Sequence, residues 1–252
     1  MVSIAQLLSR FDGVLQDRSA VVTGAGSGIG RAVSIAFARA GADVALMGRR
    51  QERLEETANE VRAAGRNAVV LPIDVRDDHA VRDAVASSSE AIGPADIAVA
   101  NAGANGWGDV DEQTASLLRD ALAVNIEGVA NLVRATVPAM RERGFGKVIV
   151  VASDNGRRPE AGGSAYVASK FGAVGLSLSV AQELYASGIG VHVLEPGCVD
   201  TDWYPPGEDA PRDRMLSADD VAYVALFLAS LPSSIVVEEV MMLPRGLLVT
   251  PW

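Results

Sequence analysis

The sequence predicts an α/β fold: a single domain with a doubly wound, parallel, seven-stranded sheet of the Rossmann type. Short apolar runs rich in Val, Ile and Ala alternate with stretches of helical pattern, and the links between them are short. These runs show little polar alternation, which is typical of strands covered on both faces by helices. The length of 252 residues and the hydrophobic share of 49% suit one such domain, so residues 1–252 are expected to form one unit.

The apolar runs give seven predicted strands, and the stretches between them give the predicted helices. The strands are residues 20–23, 43–47, 68–72, 96–100, 147–152, 190–195 and 235–241. The helices are residues 29–40, 51–64, 78–92, 115–142, 165–187 and 218–229. Glycines follow four of these helices, where a left-handed residue commonly ends a helix: Gly41, Gly65, Gly144 and Gly188.

Two segments differ from this alternating pattern. Residues 1–17 form an N-terminal extension with a short amphipathic stretch, which is expected to be a surface helix or packing arm. Residues 202–216 follow a strand end and are rich in aromatic residues, prolines and arginines. Loops at such positions commonly carry binding residues, so this segment is a candidate substrate lid, with Trp203 and Tyr204 as candidate substrate contacts.

Composition argues against several classes of function. The formal net charge of −10 would repel a phosphate backbone, so no nucleic-acid partner is expected. Cys198 is the only cysteine and no signal-like start is present, which predicts a cytoplasmic protein without an intrachain disulfide. His79 and His192 lie far apart without ligands at metal spacing, so no metal site is expected. No apolar run approaches the roughly 20 residues needed to cross a membrane.

A glycine-rich segment links the first predicted strand to the first long helix. Glycines there allow a pyrophosphate to approach the backbone, and the N–H groups and dipole of the helix favour its negative charge. The alternative is an ordinary glycine turn. The segment reads Thr23-Gly24-Ala25-Gly26-Ser27-Gly28-Ile29-Gly30, and its candidate cofactor residues are Gly24, Ser27, Gly28, Ile29 and Gly30.

The glycine spacing resembles that of the short-chain dehydrogenase/reductase family, and later motifs match the family in order from about residue 13 to residue 245. The resemblance implies that Asp74 and Val75 contact adenine. It also implies cofactor contacts in the loops after the fourth and sixth strands. Ala100 departs from the pattern, because many members have an Asn there. The residues of these two loops are Asn101, Ala102 and Gly103, then Pro196, Gly197, Val199 and Thr201.

The end of the second strand predicts which nicotinamide cofactor binds. An acidic residue there would accept hydrogen bonds from the ribose 2′-hydroxyl, but the only nearby acid, Asp43, lies at the other end of the strand. Arg49 can form charge-assisted hydrogen bonds to a 2′-phosphate, and Gly48 leaves room for it. The sequence therefore predicts NADP(H). The alternative is that Arg49 is a solvated arginine at a helix start.

Four residues are candidates for catalysis. Tyr166 and Lys170 are four apart on a predicted helix and therefore share a face. Ser153 ends the fifth strand, at the sheet edge that the glycine segment also borders. These three match the family's catalytic residues, and Asn125 matches its fourth. For Asn125, a helix-kink or capping role is the alternative.

These residue types suit hydride transfer between an alcohol and a carbonyl. The carbonyl oxygen needs a proton, which Tyr166 would supply, and the Lys170 ammonium is expected to lower the pKa of Tyr166. Ser153 would hold the substrate oxygen, while the nicotinamide supplies the hydride. The family resemblance implies that Asn125 holds a water linking Lys170 to solvent.

The predicted function is an NADP(H)-dependent oxidoreductase of the ketoreductase type, acting on a secondary alcohol and ketone or on an aldehyde. One alternative is a non-catalytic NADP(H)-binding sensor or scaffold, which would not need all four candidate catalytic residues. A sugar-nucleotide epimerase or dehydratase is another. Such relatives usually carry a larger C-terminal substrate domain, whereas this chain stops soon after its seventh strand.

The substrate is expected to be anionic. The tail from Glu238 to Arg245 resembles a family branch with members that act on small 3-hydroxy acids. Arg158 lies in the loop after Ser153 beside a second arginine, and the candidate lid adds Arg212 and Arg214. As the alternative, the arginines pair with surface acids and leave an apolar pocket under Trp203 and Tyr204. Those surface acids are Glu160, Glu208, Asp209 and Asp213.

The long helices predict self-association. The stretches 115–142 and 165–187 carry apolar residues around most of their circumference, whereas an outer helix of a lone domain needs one apolar stripe. The family's usual helix-to-helix contact would use the second stripe, so a homotetramer, or a homodimer, is expected.

Overall fold

A computed structural model describes residues 4–204 and 210–247 and confirms the predicted fold class. Seven strands form one sheet in the order β3-β2-β1-β4-β5-β6-β9, and every neighbouring pair is parallel. The strands β7 and β8 form a small separate pair beyond the sheet. The strands are β1 Ser19–Thr23, β2 Asp43–Gly48, β3 Ala68–Pro72, β4 Ile97–Ala100, β5 Gly146–Val151, β6 Ile189–Pro196, β7 Val199–Asp200, β8 Leu216–Ser217 and β9 Glu239–Met242.

Helices cover both faces of this sheet. On one face α2, α3 and α8 pack over a core that includes Phe37, Leu46 and Leu226, and on the other α4, α6 and α7 cover Met47, Leu132 and further apolar residues. The chain adds β2 and β3 on one side of β1 and then β4, β5 and β6 on the other side. At such a change of side, between β1 and β4, these folds leave a crevice for ligands. The helices are α1 Ile4–Leu8, α2 Gly28–Arg39, α3 Gln51–Ala63, α4 Asp78–Ile92, α5 Ala115–Leu122, α6 Gly128–Arg143, α7 Ser164–Leu184 and α8 Ala218–Ser230.

Two predicted elements differ from the structure. The predicted helix 115–142 is interrupted by a π-helical turn over Ala123–Glu127, which separates α5 from α6. The predicted strand 235–241 is wrong over its first half, since β9 starts only at Glu239. There the Ile235 N–H donates to Pro232 O instead of to a neighbouring strand. Val237 O accepts a hydrogen bond from His192 Nδ1 at 2.7 Å. Four predicted helix-ending glycines do have positive φ, namely Gly41, Gly65, Gly144 and Gly188.

Two expected segments fall partly outside the described residues. Residues 1–3 of the N-terminal extension and residues 205–209 of the candidate lid are not described. Within the extension the structure has the short helix α1, and within the lid it has a 3₁₀ turn over Arg212–Arg214 that leads into β8. Among residues 4–204 and 210–247, no helix combines the length and apolar character needed to cross a bilayer.

Candidate active site

The glycine segment forms a tight turn whose shape leaves no room for side chains. Gly24 has a φ of +66°, a left-handed conformation that favours glycine. A Cβ on Gly30 would lie 2.4 Å from Gly24 O, so the turn packs directly against the first turn of α2. Ser27 precedes α2, and its side chain makes no capping hydrogen bond to the helix. The backbone N–H groups at this helix start are therefore arranged to receive an anion such as a pyrophosphate.

The loops after β4 and β6 meet the glycine turn. Thr23 Oγ1 accepts hydrogen bonds from the backbone N–H groups of Asn101 at 2.9 Å and Ala102 at 3.1 Å. The side chain of Thr201 lies 3.2 Å from the position of a Cβ on Gly28. The Gly197 N–H donates to Met242 O at 2.8 Å and joins this loop to β9. The predicted cofactor residues of three loops therefore border one crevice, together with Gly103, Pro196 and Val199.

The acidic and basic residues predicted to bind the adenosine part of a cofactor lie at the end of β2 and in the loop after β3. Asp74 forms an ion pair with Arg76 at 2.7 Å, and hydrogen bonds from Arg76 hold the pKa of this carboxyl below its usual value. Arg49 is exposed and within electrostatic range of Asp74. Arg50, which the sequence analysis did not single out, donates to Ser27 Oγ at 3.1 Å. Two arginines therefore stand between the glycine turn and Asp74.

The loop after β3 holds the start of α6, the helix that follows the π-helical turn of Asn125. Asn131 Nδ2 donates to Val75 O at 2.7 Å, and a Cβ on Gly128 would lie 2.7 Å from the Val75 side chain. Val75 itself is buried. The first turn of α6 therefore packs against the loop after β3.

The four predicted catalytic residues are all buried, and all border the same end of the crevice. Their exposed fractions are 7% for Ser153, 9% for Tyr166, 5% for Lys170 and 1% for Asn125. A hydrogen bond joins the Tyr166 hydroxyl to Ser153. Lys170 Nζ lies 5.6 Å from the centre of the Tyr166 ring and donates to Val151 O at 3.2 Å. The strand end of β5 and one face of α7 bring these groups together.

Asn125 lies in the π-helical turn and is held by three hydrogen bonds. Its amide accepts from the Ala104 N–H at 2.8 Å and donates to Ala104 O at 3.1 Å and to Ser169 Oγ at 2.8 Å. The wider turn lets the amide face the loop after β4 rather than stay within a regular helix. The helix kink, one of the two roles considered for this residue, is therefore present, and it directs the side chain toward the site.

Burial is the largest influence on the pKa values of Tyr166 and Lys170, two of the candidate catalytic residues. It raises the pKa of Tyr166 to about 12, and the hydrogen bond from Ser153 offsets part of that rise. Burial also lowers the pKa of Lys170 to about 8. The expected lowering of the Tyr166 pKa by Lys170 is not found in this structure. The Lys170 ammonium is directed to Val151 O, and burial is the largest influence on the pKa of the phenol.

Two tryptophans flank the Tyr166 ring. The Trp107 ring stacks on it with centroids 6.1 Å apart, and the Trp203 ring lies 5.6 Å away in a tilted arrangement. Trp203 was predicted as a substrate contact, but Trp107 was not. Its position in the loop after β4, which also holds predicted cofactor residues, is the sequence signal that could have identified it. Burial raises the pKa of Tyr204, the other aromatic residue predicted for this lid.

The arginines predicted to attract an anionic substrate have acidic neighbours. Arg157 pairs with Glu239 at 2.5 Å and lies 3.6 Å from Glu195. Arg212 pairs with Asp200, and Arg158 lies within electrostatic range of Asp154. The local charge is therefore largely balanced by carboxylates.

Among residues 4–204 and 210–247, no group of three or more His, Cys, Asp or Glu side chains is placed to hold a metal ion.

Comparison with known proteins gives one family. The profile of the family described as short chain dehydrogenase matches residues 18–209. Glycine betaine reductase ATRR of Emericella nidulans is 34% identical over 242 residues, which is 92% of this chain but only 19% of that much longer protein. An uncharacterized NAD-dependent oxidoreductase of Mycobacterium tuberculosis is 37% identical over 213 residues, which covers 79% of this chain and 78% of the relative.

The solved structures include close matches in fold. An alcohol dehydrogenase from the archaeon Thermococcus sibiricus, complexed with 5-hydroxy-NADP, aligns with a TM-score of 0.84 and 30% identity. The alignment covers 93% of this chain and 99% of the archaeal chain. The seven-stranded sheet and its crevice are therefore shared over nearly the whole length.

Proposed function

This chain belongs to the short-chain dehydrogenase/reductase family, and we propose that it is an NADP(H)-dependent oxidoreductase that interconverts a secondary alcohol and a ketone, or an aldehyde, with Tyr166 as general acid and base. One observation carries the proposal: Ser153, Tyr166 and Lys170 are buried together beside a glycine turn that fits a pyrophosphate. The nicotinamide, when bound, supplies or accepts the hydride. A sensor or scaffold of the same fold would bind the cofactor without turnover.

In the reducing direction, Tyr166 donates its proton to the carbonyl oxygen while Ser153 holds that oxygen by a hydrogen bond. Because burial raises the pKa of Tyr166 to about 12, the phenol is protonated at neutral pH and ready to donate. Lys170 lies on the same helix face, with its Nζ 5.6 Å from the centre of the Tyr166 ring and its ammonium directed to Val151 O. Trp107 and Trp203 enclose the phenol and exclude water from it.

Replacement of Tyr166 by Phe tests the mechanism, because it removes the acidic proton and keeps the ring. We expect kcat for ketone reduction to fall by about 100-fold or more, which is the usual scale for a lost general acid. The measurement is NADPH consumption against a panel of ketones and aldehydes, with NADPH binding as the control for folding. Near-normal turnover of the variant would refute the role of Tyr166. NADPH binding without turnover by the wild type would favour the sensor.

The cofactor preference is a second expectation. Arg49 and Arg50 would hold the 2′-phosphate, so kcat/KM should favour NADPH over NADH by at least about tenfold. The double variant Gly48→Asp with Arg49→Ala should shift the preference toward NADH, because the new carboxylate suits a free 2′-hydroxyl. The single variant Arg50→Ala measures how much Arg50, which donates to Ser27 Oγ, contributes to the preference for NADPH. A wild type that prefers NADH would contradict this assignment.

The remaining substrate contacts are proposed from the aromatic residues. Trp203 and Trp107 would pack against the part of the substrate that does not react, with Tyr204 nearby. The prediction of a 3-hydroxy-acid-like anion bound by Arg158 stays a prediction, and the Asp154 carboxylate within electrostatic range of that arginine weighs against it. The cytoplasmic location stays a prediction as well.

A further inference from the structure

The hydroxyl of Ser153 has one proton and more than one acceptor for it. Ser153 Oγ accepts a hydrogen bond from the Asn155 N–H at 3.1 Å and donates its own proton to Asp154 Oδ1 at 3.2 Å. It is also hydrogen-bonded to Tyr166. A hydroxyl carries a single donor. A proton directed to Asp154 is therefore not directed to a substrate oxygen.

We propose that Asp154 is a positioning residue that competes with the substrate carbonyl for the proton of Ser153, and so makes carbonyl reduction depend on the charge of Asp154. This inference rests on the proposed function. An ionised carboxylate accepts a stronger hydrogen bond than a neutral carbonyl. Ionised Asp154 therefore holds the Ser153 hydroxyl away from the substrate, and protonated Asp154 releases it.

Titratable groups from three elements lie within electrostatic range of Asp154. Arg158 and Glu160 lie on its own loop, Glu195 comes from β6, and Tyr166 comes from α7. Burial and the neighbouring Glu160 carboxylate raise the pKa of Asp154, while Ser153, Asn155 and Arg158 act in the opposite direction. The loss of its proton is thereby moved toward neutral pH. Reduction should then fall as pH rises through this ionisation.

The pH dependence of kcat/KM for ketone reduction with NADPH is the first test. Asp154→Asn keeps a neutral acceptor and Asp154→Ser removes the carboxylate with a smaller side chain. In both variants kcat/KM should no longer decline as pH rises. At the high-pH end it should exceed that of the wild type by about tenfold, because the free-energy difference between a charged and a neutral hydrogen bond corresponds to roughly that factor. Glu160→Gln is the matched control. It should keep the decline but move it to lower pH, because a carboxylate beside Asp154 is gone.

A second measurement is independent of turnover. The Tyr166 phenolate can be titrated by the ultraviolet difference between each protein and the same protein with Tyr166→Phe. Because the Asp154 charge raises the pKa of Tyr166, the phenolate should form at lower pH in Asp154→Asn than in the wild type. An unchanged tyrosine titration together with an unchanged pH profile would overturn the proposal. A shifted titration in a protein that reduces no carbonyl would overturn the proposed function but not the link from Asp154 to Tyr166.

Discussion

Glu195 is a carboxylate that the fold buries with one oxygen unsatisfied. It is 2% exposed near the end of β6, and its Oε1 has no hydrogen-bond partner among the described residues. Burial raises its pKa to about 7 from an ordinary 4.5, and Glu239 adds to the rise while Arg157, at 3.6 Å, opposes it. A raised pKa in the folded state means that the native protein binds this proton more tightly than the unfolded chain does.

The folded protein should therefore lose stability as pH rises from about 4.5 to about 7 through the ionisation of Glu195. Glu195→Gln removes that ionisation. Between pH 5 and pH 8, the Tm of the wild type should fall more than that of the variant, by roughly 5 °C. Glu238→Gln, at an exposed carboxylate directly before β9, is the control and should follow the wild type. Parallel Tm curves for the wild type and Glu195→Gln would contradict a raised pKa of Glu195 in the folded protein.

Some site residues could be predicted from the sequence, whereas their partners from distant parts of the chain could not. Ser153, Tyr166 and Lys170 could be identified because their spacing on a strand end and a helix is fixed by regular geometry. The partner of Arg157 could not be identified. It is Glu239, 82 residues away, and it faces Arg157 only because β9 lies beside β6. Charges predicted from a loop sequence therefore say little about net charge in the folded site.

At the scale of elements, Arg212 ties the candidate lid to β7. Its guanidinium pairs with Asp200 and donates to Tyr204 O at 2.6 Å. Trp203 lies between these contacts, with its ring 5.6 Å from that of Tyr166. The arginine that was predicted to attract substrate thus holds the segment that carries the aromatic wall.

Arg212→Gln should loosen that wall and leave the chemistry intact. We expect KM for the ketone to rise by about tenfold, the scale of a lost charge-assisted hydrogen bond, with a smaller change in kcat. Arg212→Lys should restore part of the affinity, and Arg214→Gln, in the same turn, serves as the matched control. A fall in kcat at constant KM would instead assign Arg212 a part in the reaction step.

Some helix and strand boundaries could be predicted from the sequence and others could not. The strands of the sheet interior were predicted to within one or two residues, because continuous apolar runs have one explanation in a covered parallel sheet. The run Ile235-Val236-Val237 has the same β-branched composition, but in the structure it begins in a turn. Its sequence alone does not distinguish it from the strands of the sheet. The π-helical turn at Asn125 depends on Ala104, which the helix sequence does not contain.

At the scale of the whole molecule, α6 and α7 together present an apolar cleft. Val133, Val137, Leu176 and Val180 line it, with Arg134 and Glu183 at its margin. Phe171 on α7 is 42% exposed. A surface of this kind on two adjacent helices supports the proposal that copies of the chain associate there, as a homotetramer or homodimer.

Light scattering at micromolar protein should therefore give a multiple of the 26.2 kDa chain mass. Val180→Lys places a charge in the cleft and should shift the mass toward smaller species, because a buried unpaired charge disfavours association. Val110→Lys, at a loop position that is 80% exposed, is the control and should leave the mass unchanged. A monomer mass for the wild type would remove this proposal.

The junction between β1 and β4 also has a consequence for how the chain folds in the cell. Strands β1, β2 and β3 come from the first part of the chain, and β4 joins them only by pairing with β1. Thr23 in one part holds the Asn101 loop of the other, so the crevice does not exist until both parts have docked. During synthesis, a dinucleotide therefore has no binding site until β4 and the Asn101 loop have left the ribosome and paired with β1. Once bound, it adds its free energy to the unfolding of both parts at once, so the loaded protein should lose its structure in a single, more cooperative step.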